Sequence, residues 1–249
     1  MTVRLARLCR HPVKGIGGEA LAEARLTPSG VMPGDREWAL LHQGGQRHVD
    51  GQPDRWLPKS CFLQGAACAA LQAVKGGWLD DSHLRLTHPD RPELTFAPEH
   101  QGQRLIDWVA PLWPGDLPQP VRLVRAPVFW TDSRQPWISI LSLSSLAELA
   151  ARMTQPLGTD RWRGNLWIDG WEPLAERDLI GRTIRIGEVE LLVVQPITRC
   201  AATSADSQTG RLDCDMPRSL REHYGHSDFG IYAQVVTGGV IRQGDEVRI

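Results

Sequence analysis

A chain of 249 residues can hold one large domain or two modest ones, each with a real core. Its 28 Lys and Arg against 29 Asp and Glu give a formal charge of −1, which excludes the global basic footprint that draws nucleic acid or anionic lipid but leaves room for a local basic pocket. Residues 1–15 lack the apolar segment of a signal peptide, and no stretch approaches the roughly 18 apolar residues of a membrane span, so the expectation is a cytoplasmic protein with no nucleic-acid or membrane partner.

Taken in chain order, residues 3–9 (VRLARLC) alternate apolar and basic side chains, the period of a strand with one buried face. Two further strand-like runs, 20–26 and 37–42, flank the turn-rich segment 27–34, which predicts an antiparallel meander over the first 42 residues. Residues 43–58 read as a loop, and the Ala- and Leu-rich run 60–74 fits a helix or a strand followed by a turn. A hairpin is expected from 83–87 and 93–96 across the turn residues 88–92. Four prolines, a glycine and an aspartate in 111–120 mark a boundary, giving an N-terminal β-rich region 1–115 and a second domain 121–249.

Beyond that boundary, Leu143, Leu146, Ala150 and Met153 share one helical face, and Ser145 with Glu148 has capping-box spacing. The rest reads as strands at 166–169, 183–186, 189–195, 230–236 and 246–249, with Gly187 and Glu188 joining two of them in a hairpin. With 24 Gly and 18 Pro as well, the expected fold class is mainly β with a few helices.

Five cysteines at scattered positions fit neither a disulfide framework nor paired zinc knuckles, and the eight histidines show no metal-ligand spacing. Cys200 stands apart because it follows an apolar strand expected to stop at Pro196. The chain would then emerge carrying Thr198, Arg199 and the thiol. A guanidinium next to a thiol favours the thiolate, the form that attacks or ligates a soft metal, although a free cysteine is as readily a small buried hydrophobe.

Three other groups suggest anion capture. Arg161 and Arg163, spaced i, i+2 ahead of Asn165, would point to one side of an extended segment and could grip one phosphate, or could sit on a solvated edge. Lys14 heads the glycine-rich loop 12–19 with Gly15 behind it, a candidate anion nest or a simple turn; it has neither Walker nor Rossmann order. Arg36, after Asp35, either faces the same anion or merely pairs with its neighbour.

Taken together, HPVKG, GDREW, ILSLSSLAEL, RWRGNLWIDG, IGEVELLVVQPITRCAATSADSQTG, FGIYAQVV and GGVIRQGDEV resemble the MOSC family with its N-terminal β-barrel region, and within it the mitochondrial amidoxime-reducing component and its bacterial relatives. The resemblance covers the first 42 residues and nearly everything after Phe129, and it leaves 43–128 unmatched. It implies a β-barrel MOSC core and a molybdenum cofactor, Mo-molybdopterin, lying between the two β-rich regions. Its phosphate would be held by Lys14, Arg36 and Arg163, Asn165, Thr198 and Arg199 would line the pterin, and Gly15 and Arg161 would complete the cofactor-binding residues. Cys200 would be the metal ligand and catalytic residue.

The implied activity is reduction of small N-hydroxylated or N-oxygenated compounds, with electrons from a separate ferredoxin-, flavodoxin- or cytochrome-type protein, since no ferredoxin-like extension follows Ile249. A sulfur or cofactor carrier using Cys200 as a persulfide or binding site is the alternative, and a β-barrel interaction module the third. The chain departs from the family pattern at Gly15, where relatives carry Ser, at Thr198, where they carry Ser, and at Gly164, where they carry Pro.

Overall fold

The computed structural model describes residues 2–249. Its elements are β1 (Arg4–Arg10), β2 (Glu19–Leu21), β3 (Glu23–Leu26), β4 (Trp38–His42), α1 (Gln43–Gln46), β5 (Lys75–Trp78), β6 (Leu84–His88), β7 (Arg91–Phe96), α2 (Gly102–Val109) and β8 (Pro120–Arg125). Then follow β9 (Trp137–Ser142), α3 (Leu143–Met153), β10 (Leu166–Asp169), β11 (Thr183–Ile186), β12 (Val189–Thr198), α4 (Met216–Tyr224), β13 (Asp228–Thr237), β14 (Gly239–Arg242) and β15 (Val247–Arg248). The fold is mainly β, as its composition and alternation predict.

Eight strands form the main sheet in the order β15-β11-β12-β13-β9-β10-β1-β2. Its far end returns to β1: Arg4 bridges Glu246, and Val247 N–H donates to the Val3 carbonyl at 2.9 Å, so the sheet curls on itself. Inside lie Leu5, Leu8, Ile138, Ile140, Leu166, Ile168, Ile184, Val193 and Ile231, all at 0% exposure. Each such side chain contributes about 1.5–3 kcal/mol by leaving water. β1 reaches this core through a register shift between Leu5 and Arg7, which lets Leu5, Leu8 and Cys9 all be buried.

The first 42 residues do not form a meander. β1 pairs with β2, but β3 pairs with β14 and β4 with β8, so the three runs go to three sheets. The expected strand 20–26 breaks at Ala22 for the same reason, because its two halves have different partners. Strand pairing also crosses the expected boundary at 111–120. β8 completes a ladder with β4, while β1 is bonded to β10. A second core, with Val13, Ile16, Trp38, Leu40, Leu71 and Phe96, lies under the β5-β6-β7 sheet and α2, and a cleft runs between it and the curled sheet.

Several local expectations are corrected. Residues 60–74 are neither helix nor strand but two 3-10 turns, Lys59–Cys61 and Ala69–Ala73. The cap of α3 is Ser142, whose hydroxyl accepts from Ser145 N–H at 3.3 Å. Ser145 is instead buried and donates to Glu176 at 2.7 Å. Pro196 does not stop β12, which runs on to Thr198. The proline pairs with Ile231 between two register shifts, where the ladder does not need its missing N–H. The β6-β7 and β11-β12 hairpins are where the turn residues predict them.

Candidate functional site

The cleft is an open cavity of about 1090 Å³, and both halves of the chain line it. Lys14, Gly15 and Arg36 come from the N-terminal part, and Arg161, Arg163, Asn165, Thr198, Arg199 and Cys200 from the C-terminal part. All nine residues singled out in the sequence therefore reach one cavity. Among the described residues no group of three or more His, Cys, Asp or Glu is arranged to hold a metal. A metal here would lean on few protein ligands.

Cys200 is the one exposed cysteine of the five. It leads into the 3-10 turn Ala201–Ser204, and its carbonyl accepts from Thr203 N–H at 3.1 Å and from the Thr203 hydroxyl at 2.8 Å. Burial pushes the thiols of Cys9, Cys61 and Cys68 up, and that of Cys214 up to about 11, so these four stay protonated. Thr198 donates from its hydroxyl to Asp228 at 2.7 Å.

Arg199 does not hold the thiol with a hydrogen bond. It turns inward over Trp162, which stacks on Phe229 at 4.0 Å, and donates to the carbonyls of Phe229 (2.8 Å) and Trp162 (3.1 Å). Its Nη2 is buried with no partner among the described residues. Gly230, at φ +80°, makes this possible: a Cβ there would lie 2.8 Å from the Ile140 carbonyl and 3.4 Å from that Nη2.

The two arginines at 161 and 163 do not act as one grip on an extended segment. Thr159–Trp162 is a 3-10 turn and Arg163 has φ +49°, so their side chains diverge. Arg161 donates to Asp213 at 2.8 Å and to the Thr203 carbonyl at 3.0 Å, leaving its Nε buried with no partner among the described residues. Arg163 donates to the carbonyls of Val13 (3.2 Å) and Gly17, tying down the glycine-rich loop. That loop is only partly an anion nest. The N–H groups of Lys14, Ile16 and Gly18 go to the carbonyls of Trp38, Val13 and Gly76, and of the loop only Lys14 and Gly15 line the cavity.

Arg36 fulfils both readings of it: it pairs with Asp35, lines the cavity, and donates to the Arg163 carbonyl at 3.0 Å. The pair is buried rather than superficial, with Asp35 at 3% exposure. Although burial favours the neutral acid, Arg36 and the bonds from His11 hold Asp35 well below the usual carboxylate range. Asn165 is buried and spends its amide on the framework, accepting from the Ser139 hydroxyl at 2.8 Å and donating to the Cys9 carbonyl at 3.3 Å.

Sequence reasoning missed Asp132, Lys59, Tyr232 and Gln72, all of which line the cavity. Asp132 accepts from Lys14 and is the single carboxylate among six cationic side chains there. Desolvation, then Arg36, pushes Arg163 down to about 9, and desolvation brings Arg199 down to about 10. Both remain cationic at neutral pH, crowded and short of counter-charge, a state that a bound anion relieves. The residues present therefore fit an anionic ligand that also meets a thiol.

The glycines at the departures are explained by their surroundings. Gly15 has φ +75°, and a Cβ there would come within 3.2 Å of the Leu63 carbonyl. At Gly164 a Cβ would meet Leu141 Cδ1 at 2.2 Å.

The chain is similar in sequence to known proteins. The family model for the MOSC N-terminal beta barrel domain matches residues 2–108, and that for the MOSC domain matches 131–248. The human mitochondrial amidoxime reducing component 2 is 30% identical over 98% of this chain and 82% of its own length. The human mitochondrial amidoxime-reducing component 1 is 26% identical over the same shares of each chain. A molybdenum cofactor sulfurase of Anopheles gambiae is 38% identical over 92% of this chain, which spans 34% of that larger protein. With an N-terminal β-barrel region and the domain that follows it both matched, the chain belongs to the MOSC family.

Proposed function

We propose that the chain binds a molybdenum cofactor of the molybdopterin type in this cleft and reduces small N-hydroxylated or N-oxygenated compounds. The observation that carries this reading is the meeting, in one cavity, of the one exposed thiol with six cationic side chains that face a single carboxylate among the described residues. Lys14, Arg36 and Arg163 would hold the phosphate end, Thr198 and Arg199 would lie along the pterin, and Cys200 would give its thiolate to the metal. When bound, the cofactor supplies two-electron chemistry at an N–O bond.

The reaction balances as an N-hydroxyamidine plus two electrons and two protons giving the amidine and water. The electrons come from a separate donor protein of ferredoxin, flavodoxin or cytochrome type. The protein's own part is to fix the anion, keep an exposed thiol on the cavity wall, and present cationic side chains to electron-rich oxygen.

The relatives named as amidoxime-reducing components support the reductase; the sulfurase relative favours a second reading in which Cys200 carries sulfur or passes the cofactor on. Metal and pterin analysis of the protein made in a cofactor-producing host separates them, together with reduction of an N-hydroxyamidine by an artificial donor. Stoichiometric molybdenum with turnover supports the reductase. Molybdenum or a Cys200 persulfide without turnover favours the carrier, and absence of all three overturns both.

A further inference from the structure

One wall of the cleft comes from Lys59, Leu63, Gln64, Gly65, Ala66 and Gln72, within the region that the N-terminal beta barrel model matches. Gln72 differs from its neighbours on that wall. It is 6% exposed, yet it faces both the main cavity and a second one of about 480 Å³ that shares Arg163 with it. Gln64 donates to the Lys59 carbonyl at 3.0 Å, whereas the Gln72 carboxamide makes no hydrogen bond among the described residues and is not sealed from the cavity.

The turn that carries it, Ala69–Ala73, is fixed from several sides. Leu71 and Ala73 are buried on either side of Gln72, and the Ala70 carbonyl is 3.2 Å from His88 Nε2. Gly210 packs so closely that a Cβ there would lie 2.9 Å from Ala70 Cα. The amide end occupies the space of a missing side chain: a Cβ on Gly65 would be 1.8 Å from Gln72 Nε2 and 3.4 Å from the Cβ of Ala202, in the turn that follows Cys200. A rigid turn thus presents an unpaired amide to the cavity near the thiol loop.

We propose that Gln72 is a recognition residue of this cleft, pairing with a hydrogen-bond donor and acceptor that stand side by side on the bound molecule. The inference rests on the cofactor reading above. A carboxamide offers donors and an acceptor in one plane, the complement of a lactam or amidine edge, whereas a bare anion needs donors alone and already has six cations here. Filling the space would require only a leucine, whereas the carboxamide places its polar atoms where a molecule in the cavity can reach them. Two molecules carry the matching edge: the pterin of the cofactor, through its pyrimidinone ring, and an N-hydroxyamidine substrate.

The test compares wild type, Gln72→Leu and Gly65→Ala as holoproteins from a cofactor-producing host. Gly65→Ala leaves the glutamine in the chain but presses on its amide end, and its backbone conformation suits alanine. Pterin retained per protein after gel filtration is read by fluorescence, KM and kcat are read with an N-hydroxyamidine, and melting temperature checks folding. If the pterin is the partner, both variants lose cofactor with affinity weakened about tenfold, the scale of one hydrogen-bonded pair, and KM holds in the molecules still loaded. If the substrate is the partner, retention holds and KM rises about tenfold with kcat largely kept. Either result supports the role of Gln72. Folded variants with retention and KM both within twofold of a loaded wild type overturn it and leave the cofactor reading standing. A wild type that carries no pterin overturns the cofactor reading and this inference with it.

Discussion

Replacing His11 by Gln should remove much of the protein's sensitivity to mild acid. The ring is 5% exposed, its Nδ1 lies 3.3 Å from Asp35 Oδ1, and the His11 backbone N–H donates to the same oxygen at 2.7 Å. Burial, then Arg163, pushes the imidazole down to about 3 from its ordinary 6.5, against the pull of Asp35. Below pH 6.5 the unfolded chain therefore takes up a proton that the folded chain refuses until about pH 3. Stability from this group is complete above pH 6.5 and is lost as pH falls through that window, at about 1.4 kcal/mol per unit. Between pH 7.5 and 5.0 the loss comes to about 2 kcal/mol. Urea unfolding of wild type and His11→Gln at both pH values measures it, because the glutamine amide can still donate to Asp35 but does not titrate. Carboxylates common to both chains, including Glu176, whose pKa burial raises, cancel in the double difference. Equal acid losses in the two proteins would refute a buried neutral His11.

Cys200→Ser should keep the fold, since the residue is exposed, and should abolish N-hydroxy reduction with an artificial donor, because a serine hydroxyl does not replace a thiolate on a soft metal. Cys214→Ser is the control: its thiol is held protonated by burial and touches Arg161 at 3.7 Å, so turnover should stay near wild type. Arg163→Ala should lower pterin retention after gel filtration. Because it also strips the carbonyls of Val13 and Gly17 of a donor, it should cost about 1–3 kcal/mol in urea unfolding. Gly15→Ser should destabilise by about 1–3 kcal/mol, since the backbone there is left-handed and the Leu63 carbonyl crowds the site.

Local pattern carried the fold wherever strand partners lie close in sequence. The β11-β12 hairpin was legible because Gly187, at φ +58°, supplies the turn that two alternating runs require. The meander was misjudged because nothing in residues 20–26 reveals that β3 pairs with residues more than 200 positions away. β9 escaped notice since it is central: Ile138, Ile140 and Leu141 are all at 0% exposure and its last residue caps α3, so an apolar strand runs straight into an apolar helix face. In the 60–74 run, alanines and leucines carry no period that separates two short 3-10 turns from a helix.

The site was legible in its membership and not in its geometry, and the backbone explains why. Arg36 and Arg163 both adopt left-handed conformations, φ +53° and +49°, which cost about 1–3 kcal/mol each for residues with a Cβ and leave no trace in periodicity. Each is held by what surrounds it. Arg36 N–H donates to the His11 carbonyl at 2.7 Å, and its guanidinium reaches the Arg163 carbonyl at 3.0 Å. Arg163 in turn reaches back to Val13 and Gly17, which follow His11 in the same loop. The loop, the Asp35-Arg36 corner and the 3-10 turn before β10 therefore close a ring in which each arginine aims the other. Spacing along the chain suggested two guanidinium forks on one extended segment. The structure instead takes one fork from each half of the chain and uses its strained backbone to bring them together, so the charge of the cleft depends on the two halves being docked.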